Sequence, residues 1–443
     1  MSAPFAWLAG ERSITLGCAV GAQGDRVTPL MPTLHRSLSA AAFVLVASFQ
    51  LACGSDPGPV NEQPLPGTDA GTEVIPDAGT EDPIVLAPQL GTGELSSVEL
   101  VEIANSTNGL RRPRDLDFNP RVPDQLWIVN AQDDSMTIIS DASKPTRKVT
   151  GRRDAASNHF MPVPSSIAFG ADNTTIGKPG TFGTCHESRN TYGGQAQPND
   201  FMGPVLWSSD DSVFAVQDPY HLGSHLDMLH GSPNCMGIAH ERDNVYWVFG
   251  GKAHTLGVPF AQQHLPTPAI VKYDFAHDHG VGEDDHADGE IYQYVTDQVS
   301  RVEGVPSHLE FDPATSLLYI ADTGNARVAV LDTKSGTKGR ALQGQEPLVA
   351  YHMMDGATLT TLVETSAQVV LDLPSGIALH DGLLFVSDNS TSWIMAFDLT
   401  GKLVKKLDTK LPTGSLAGIK VGPDGKLYLV DMIGNRVLRI DPK

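Results

Sequence analysis

From residue 110 onward, the chain alternates apolar and polar residues in short runs separated by Gly, Asp and Asn. One pattern recurs, in which a small residue or proline and two variable residues precede alternating apolar residues. It stands at 113–118, 164–169, 235–240, 306–311, 374–379 and 416–421. Because the side chains of a β-strand point alternately to its two faces, a period of two predicts a strand at each place. Six copies predict six structural units.

Each copy is followed by a turn and a second strand-like run, as at 126–129, 318–321 and 427–430. A third apolar run follows, as at 327–331 and 436–440. Short runs rich in β-branched and aromatic residues, divided by Gly, Asp and Asn turns, are typical of strands. Several strands in each unit of about 40 to 70 residues predict the blades of a propeller. The predicted fold class is all-β, a six-bladed β-propeller.

The turns between second and third strands carry a more specific pattern. Residues 322–328 read Asp-Thr-Gly-Asn-Ala-Arg-Val, and residues 431–437 read Asp-Met-Ile-Gly-Asn-Arg-Val. Both resemble the corresponding turn of NHL repeats. The resemblance implies an NHL-like propeller across most of residues 110–443, in which Asp and Asn shape the turn. It says little about function.

The two ends of the repeat region predict how the ring closes. The last copy ends at Lys443 just after its third strand, whereas residues 97–103 form an alternating strand that has no blade of its own. We expect this strand to complete the last blade, because pairing there removes an exposed sheet edge. The steps from Ser166 to Gly237 and from Gly237 to His308 are each about 71 residues, against about 42 for a bare unit. Blades two and three are therefore expected to carry insertions, where binding sites commonly lie.

The segment before the repeats predicts export. An apolar run at 37–49, preceded by two basic residues, is too short to span a membrane and is typical of a signal peptide. It leads to Ala52 and Cys53, which resemble a lipobox with Gln50 in place of the usual Leu. The predicted domains are a lipoprotein signal peptide at 1–53 with its true start at Met31, a disordered Pro/Gly/Asp/Thr-rich linker at 54–95, and the propeller at 96–443. Cys53 is the predicted palmitate-type lipid site, in the bacterial outer membrane or at the cell surface.

The net charge limits which partners the protein can bind, and the cysteines indicate whether it contains a disulfide bond. The formal net charge of -21 disfavours phosphate-rich partners, so no nucleic acid is expected. No apolar run of about 18 residues follows position 53, so no membrane-spanning helix is expected there. We therefore expect the protein to contact the lipid bilayer only through its N-terminal lipid. An exported protein meets an oxidising compartment, and Cys185 and Cys235 are therefore predicted to form a disulfide bond. The alternative is two separate buried thiols.

Ten of the 15 histidines lie between His186 and His286. The densest stretch is a predicted hairpin loop at 277–290, whose candidate metal ligands are His277, His279, Asp284, Asp285, His286 and Asp288. Imidazoles with carboxylates suit Zn²⁺, and carboxylates with carbonyls suit Ca²⁺. The alternative is a solvated acidic hairpin. A second cluster consists of His221, His225 and His230 around Asp227, and its spacing could bring these side chains together. The alternative is that these histidines only pack on the propeller.

The inner strands supply a third candidate site. Asp115, Ser166 and His308 occupy equivalent positions facing the channel, and glycines at the other equivalent positions are expected to widen its mouth. These side chains are expected to bind a polar ligand or an ion, or else the neighbouring backbone. The propeller is also distantly similar to peptidyl-hydroxyglycine α-amidating lyase, which implies a zinc ion held by three channel histidines. Only His308 matches one of them.

Two functions from different classes fit these observations. The first is an exported, membrane-tethered NHL-type propeller that acts as a binding or scaffold module for a protein, peptide or glycan. The second is a metal-dependent lyase or hydrolase with its site at the channel mouth. The first is favoured, because the positions around the axis are mostly Gly and Ser.

Overall fold

The computed structural model describes residues 86–443 except 176, 178–179, 192–198, 217–221, 251–267, 284 and 343–345. The predicted signal peptide and the lipid site at Cys53 lie outside the described residues. Residues 86–95, within the predicted linker, pack on the propeller, and Ala87 and Leu90 are buried there. No helix in the described part of the chain has both the length and the apolar character to cross a membrane.

Six sheets form the predicted six-bladed all-β propeller, and each begins with one of the six recurring patterns. The strands of blades one to three are β2 Pro113–Phe118, β3 Leu126–Asn130, β4 Ser135–Ser140 and β5 Lys148–Arg152; β6 Pro164–Phe169, β7 Thr181–His186, β8 Val205–Ser208 and β9 His225–Met228; β10 Gly237–Arg242, β11 Val245–Gly250, β12 Ala269–Asp274 and β13 Glu290–Tyr294. Those of blades four to six are β14 Leu309–Asp312, β15 Leu317–Asp322, β16 Arg327–Asp332 and β19 Leu359–Glu364; β20 Pro374–His380, β21 Leu383–Asp388, β22 Trp393–Asp398 and β23 Leu403–Asp408; β24 Leu416–Val421, β25 Leu427–Asp431, β26 Arg436–Pro442 and β1 Val98–Ala104. The innermost strands contact one another in ring order, β2, β6, β10, β14, β20 and β24, and β24 returns to β2.

The short helices lie in the connections. One α-helical turn, α1, spans Ser157–Phe160 between blades one and two. The 3₁₀ turns are Pro88–Leu90, Leu95–Ser97, Ser106–Asn108, His286–Asp288 and Thr323–Asn325.

The ring closes as predicted from the sequence. Strand β1 pairs antiparallel with β26, from Val98 opposite Pro442 to Ala104 opposite Val437. The sheet order β1-β26-β25-β24 makes the N-terminal strand the outermost strand of blade six. Because both ends of the propeller share one sheet, β1 covers the edge of β26 that would otherwise stay unpaired.

Six apolar clusters fill the six boundaries between neighbouring blades. At the boundary of blades one and two, Trp127, Phe182 and Trp207 are all fully buried. Burial of apolar surface at about 25 cal/mol per Å² is the main force that holds such blades face to face. Each sheet has both faces covered by neighbouring blades. The apolar residues that recur along the strands therefore pack mainly against the next blade.

An inserted hairpin was not predicted. Strands β17 Thr337–Ala341 and β18 Ala350–Asp355 leave blade four after β16 and join the sheet of blade three, where β18 pairs parallel with β13. The predicted insertions of blades two and three are present, and the structure describes them at 187–191, 199–204, 209–216, 222–224, 275–283 and 285–289. The inserted hairpin and the 275–289 connection thus lie beside the outer strands of blades two and three.

Two local predictions are confirmed. Cys185 in β7 and Cys235 before β10 form a disulfide bond that joins blades two and three. In the NHL-like turn, Asp322 accepts hydrogen bonds from Asn325 Nδ2 at 2.9 Å and Arg327 Nε at 2.8 Å. The Asp and Asn of this motif therefore shape the turn, as expected.

Candidate functional site

The three side chains predicted to face the channel do lie together. Asp115 Oδ2 accepts hydrogen bonds from Ser166 Oγ at 2.9 Å and from the Ile167 amide at 3.0 Å. His308 Nε2 lies 3.0 Å from the Ser165 carbonyl oxygen, and its Nδ1 lies 3.5 Å from Asp115 Oδ1. Asp115, Ser166 and His308 therefore connect blades one, two and four to one another around the axis.

The glycines at equivalent positions do not widen the channel. A Cβ atom at Gly418 would lie 2.7 Å from Asp115 Cα, and one at Gly237 would lie 3.0 Å from the carbonyl carbon of Ser307. Side chains at these positions would collide with the neighbouring inner strand. The expectation of a widened mouth was wrong, because the glycines allow adjacent inner strands to approach closely.

A second ring of axial residues was missed by the sequence reasoning. Two residues further along the inner strands, on the same face, stand Asp117, Glu310 and Lys420. Lys420 Nζ lies 3.1 Å from Glu310 Oε2 and 3.6 Å from Asp117 Oδ1. These three residues and Glu241 border a cavity of about 250 Å³ that all six inner strands line. We call these four residues the axial mouth. Three of them stand two residues after the equivalent positions of Asp115, His308 and Gly418, so the sequence repeat contained the signal for them.

The charges of the axial mouth depend on one another. Burial raises the pKa of Asp117 and of Glu310 above the ordinary carboxyl value, while nearby Lys420 acts in the opposite direction. Burial alone would lower the pKa of Lys420, but the Asp117 and Glu310 carboxylates raise it above its ordinary value. Lys420 therefore stays charged between the carboxylates of Asp117 and Glu310, whereas Glu241 lies 3.3 Å from Lys272.

The histidine clusters predicted from sequence converge away from the axis, at the boundary of blades two and three. The 275–289 connection lies along the outer strand of blade two, where the His279 amide donates to the Leu226 carbonyl at 3.1 Å. The rings of His230 and His286 have centroids 5.0 Å apart. Two groups of side chains here could hold a metal ion, and together they comprise Asp227, His230, His279, His286, Asp288 and Glu346. We call these six residues the boundary cluster.

Glu346 is the residue of this cluster that the sequence did not suggest. It lies in the connection between β17 and β18, and its side chain is 3% exposed. Its Oε2 atom lies 2.5 Å from His230 Nδ1 and 2.9 Å from His286 Nδ1. Burial would raise the pKa of Glu346, but hydrogen bonds from His230 and His286 lower it to about 2. The carboxylate is ionised and fixes the orientation of both imidazoles.

The second group has wider separations. His279 Nε2 lies 3.9 Å from Asp227 Oδ2 and 3.7 Å from Asp288 Oδ1. Asp227 is fully buried, whereas His279 and Asp288 are partly exposed. His279 Nε2 and Asp288 Oδ1 are themselves buried atoms that make no hydrogen bond within the described residues. The three side chains thus face one another at distances too long for direct hydrogen bonds.

The other predicted metal ligands stand apart from these groups. Asp285 is exposed, and its side chain accepts a hydrogen bond from the Ala287 amide at the start of the 3₁₀ turn His286–Asp288. His277 is exposed, and its amide donates to Asp288 Oδ2 at 3.3 Å. His225 stacks on Phe160 at 3.6 Å. Asp284 and His221 lie outside the described residues.

Comparison with known proteins adds little about ligands. No model of a protein family matches the chain, and no curated protein sequence matches it. Among solved structures it is similar to an auxiliary nutrient binding protein from Bacteroides thetaiotaomicron, at 12% identity over 77% of this chain and 76% of the other, with a TM-score of 0.48. It is similar to a luciferin-regenerating enzyme, at 12% identity over 78% and 95%, with a TM-score of 0.47. It is also similar to the calcium-binding protein regucalcin from Agrobacterium tumefaciens, at 13% identity over 78% and 96%, with a TM-score of 0.45. At these values the likenesses do not indicate what this chain binds.

Proposed function

We propose that this protein is an exported, membrane-tethered propeller that binds a polar organic ligand at its axial mouth. The observation that carries the proposal is the cavity of about 250 Å³ bordered by Asp117, Glu241, Glu310 and Lys420. A cavity of this size takes one sugar ring or one amino-acid side chain. The ligand class is accordingly a glycan or a peptide end that enters the mouth.

The charge of the mouth favours a ligand that donates hydrogen bonds. Ionised carboxylates are acceptors only, and one ammonium group is shared between Glu310 and Asp117. Glu241 lies 3.3 Å from Lys272 and accepts a hydrogen bond from Trp247. Hydroxyl or ammonium groups of the ligand would satisfy the remaining carboxylate oxygens. Charge-assisted hydrogen bonds of this kind are about twice as strong as neutral ones.

The alternative function, a metal-dependent lyase or hydrolase at the channel mouth, receives less support. Such an enzyme needs its metal ion at the axis. Asp115 and His308 instead bond to neighbouring strands, and the described groups that could hold a metal lie in the boundary cluster. We therefore include a divalent cation, Zn²⁺ or Ca²⁺, in the proposal, but at the boundary of blades two and three.

The tether is proposed from the sequence alone. We base this proposal on the apolar run at 37–49 and on Cys53, which would carry the lipid. The lipid would anchor the protein in the outer membrane or at the cell surface. The linker that follows is rich in Pro, Gly and Asp and would hold the propeller at a distance from the bilayer. A surface location suits a protein that captures glycans or peptides.

Ligand capture tests the proposal. The full chain is applied to glycan and peptide arrays, and hits are titrated by calorimetry against Glu310→Gln. We expect at least tenfold weaker binding, because the variant loses a charged acceptor. The matched control is Glu303→Gln, since Glu303 is exposed and borders a different depression. Hits that bind Glu310→Gln and wild type equally would refute a site at the axial mouth.

A further inference from the structure

The boundary cluster is assembled from three blades. Asp227 belongs to β9 of blade two, and His230 follows that strand. His279, His286 and Asp288 belong to the connection between β12 and β13 of blade three. Glu346 comes from the hairpin that blade four contributes to the blade-three sheet. Long-range folding therefore brings six titratable groups together that are up to 119 residues apart.

The distances divide the cluster into two kinds of contact. The separations of 2.5 and 2.9 Å around Glu346 Oε2 are hydrogen bonds. The separations of 3.7 and 3.9 Å around His279 Nε2 are too long for hydrogen bonds. Two ligands of one tetrahedral ion, each bound at about 2.0 to 2.2 Å, lie roughly 3.3 to 3.6 Å apart. The second set of distances is close to that spacing, so a small inward movement would place an ion between these three atoms.

The hydrogen bonds to Glu346 have a chemical consequence. An imidazole that donates its Nδ1 proton to a carboxylate carries its lone pair on Nε2. A carboxylate that accepts from the ring nitrogen opposite the metal is the usual second partner of a metal-binding histidine. Glu346 holds both His230 and His286 in this form. His230 is further fixed by stacking on Phe201, with ring centroids 3.4 Å apart.

Electrostatics gives an independent reason for a cation. Asp227 is fully buried, and Asp288 is mostly buried within 4.8 Å of it. Buried carboxylates this close repel one another unless a positive charge lies between them. Among the described residues, the imidazole of His279 lies 3.9 Å from Asp227 and 3.7 Å from Asp288.

We propose that the boundary cluster binds one divalent transition-metal ion of the Zn²⁺ class, with Asp227, His279 and Asp288 as ligands. We include one imidazole of the other group, His230 or His286, both oriented by Glu346, as the fourth ligand of the tetrahedral ion. Imidazole with carboxylate is the donor set that Zn²⁺ and similar ions select, whereas Ca²⁺ prefers oxygen alone. The inference deepens the cation part of the proposed function by naming its ligands and its metal class.

The ion would also have a structural effect. Its ligands come from neighbouring blades, and Glu346 adds the inserted hairpin. An ion that binds only the folded protein stabilises it in proportion to occupancy. It would therefore fasten the outer strands of blades two and three, at the same boundary that Cys185–Cys235 fastens near the inner strands.

Metal content and melting temperature of the full chain test the inference. After treatment with a chelator, the protein is incubated with Zn²⁺ or Ca²⁺, dialysed, and measured by elemental analysis and calorimetry. We expect one equivalent of Zn²⁺ and a melting temperature several degrees higher, with little effect of Ca²⁺. His279→Ala should weaken Zn²⁺ binding at least a hundredfold. The matched control His277→Ala changes an exposed histidine of the same connection and should bind as wild type does.

Two further variants keep the test decisive. Asp288→Asn preserves size, so it answers the question even where His279→Ala folds poorly. Glu346→Gln, a change at a positioning residue, should lower affinity about 10- to 100-fold and alter the visible spectrum of bound Co²⁺. Zn²⁺ binding that survives both His279→Ala and Asp288→Asn would overturn the ligand assignment while leaving the proposed cation in place. Failure of wild type to bind either Zn²⁺ or Ca²⁺ would overturn the cation part of the proposed function as well, and leave the axial mouth untouched.

Discussion

Lys420 Nζ of blade six lies 3.1 Å from Glu310 Oε2 of blade four, beside the channel axis. Blade five stands between the two blades in the ring, so the contact joins inner strands that are not neighbours. Asp117 of blade one lies 3.6 Å from the same ammonium group. Lys420 of blade six thus interacts electrostatically with carboxylates of blades one and four, at the place where the proposed ligand binds.

Removing that lysine should destabilise the ring. In Lys420→Met, two partly buried carboxylates lose their cation, and we expect a loss of about 2 kcal/mol, below the usual cost for a fully buried pair because Lys420 is partly exposed. The double variant Lys420→Met/Glu310→Gln should recover part of this loss. Urea unfolding of both variants measures the free energies. Equal stability of wild type and Lys420→Met would show that solvent screens these charges completely.

His186 predicts a pH dependence of stability. Burial lowers its pKa from 6.5 to about 3, although the Gly203 carbonyl acts in the opposite direction. Above pH 6.5 the histidine is neutral in both folded and unfolded chains and has no effect. As the pH falls from 6.5 to 3, only the unfolded chain takes up this proton, so stability drops by up to about 4 kcal/mol.

His186→Gln removes the titrating group and can keep a hydrogen bond to Thr184. We expect a flatter loss of stability between pH 6.5 and 3, measured as unfolding free energy against pH. The control is His380→Gln on blade five, whose histidine is more exposed. A profile for His186→Gln that is parallel to wild type would contradict the prediction.

The Cys185–Cys235 bond should contribute substantially to stability. It closes a loop of 50 residues, for which the loss of unfolded-state entropy corresponds to about 4 kcal/mol. Calorimetry of Cys185→Ala/Cys235→Ala should show a lower melting temperature than oxidised wild type. Reductant should lower the melting temperature of wild type but not of the double variant. Insensitivity of wild type to reductant, with both thiols shown to be free, would rule out this contribution.

The lipid anchor can be tested in cells. Radiolabelled palmitate should be incorporated into wild type and not into Cys53→Ala, and the variant should leave the membrane fraction. Cys18→Ala is the matched control, because Cys18 precedes the expected start at Met31. Labelling that persists in Cys53→Ala would refute lipidation at this residue.

The sequence by itself determined the propeller. Alternating apolar residues repeat six times, and the strand at 97–103 has no other partner, so blade number and ring closure follow from local pattern and unpaired edges. The Asp-Gly-Asn-Arg turn is mostly local, since Asp322 Oδ2 accepts hydrogen bonds from Asn325 and Arg327, and only its Oδ1 accepts from the more distant Ser300 amide. The histidine-rich connection at 277–290 was also visible as an unusual composition.

Only the tertiary structure decided which of these residues meet. Glu346 carries no local pattern, and it reaches His230 and His286 because a hairpin from blade four joins the sheet of blade three. The sequence likewise marked Asp115 and His308 as channel-facing, and the structure shows that they line the axial cavity and also link neighbouring blades. Strand pattern depends on nearest neighbours along the chain and can be read from sequence. A site depends on contacts between distant segments, and their distances are set by how the blades pack.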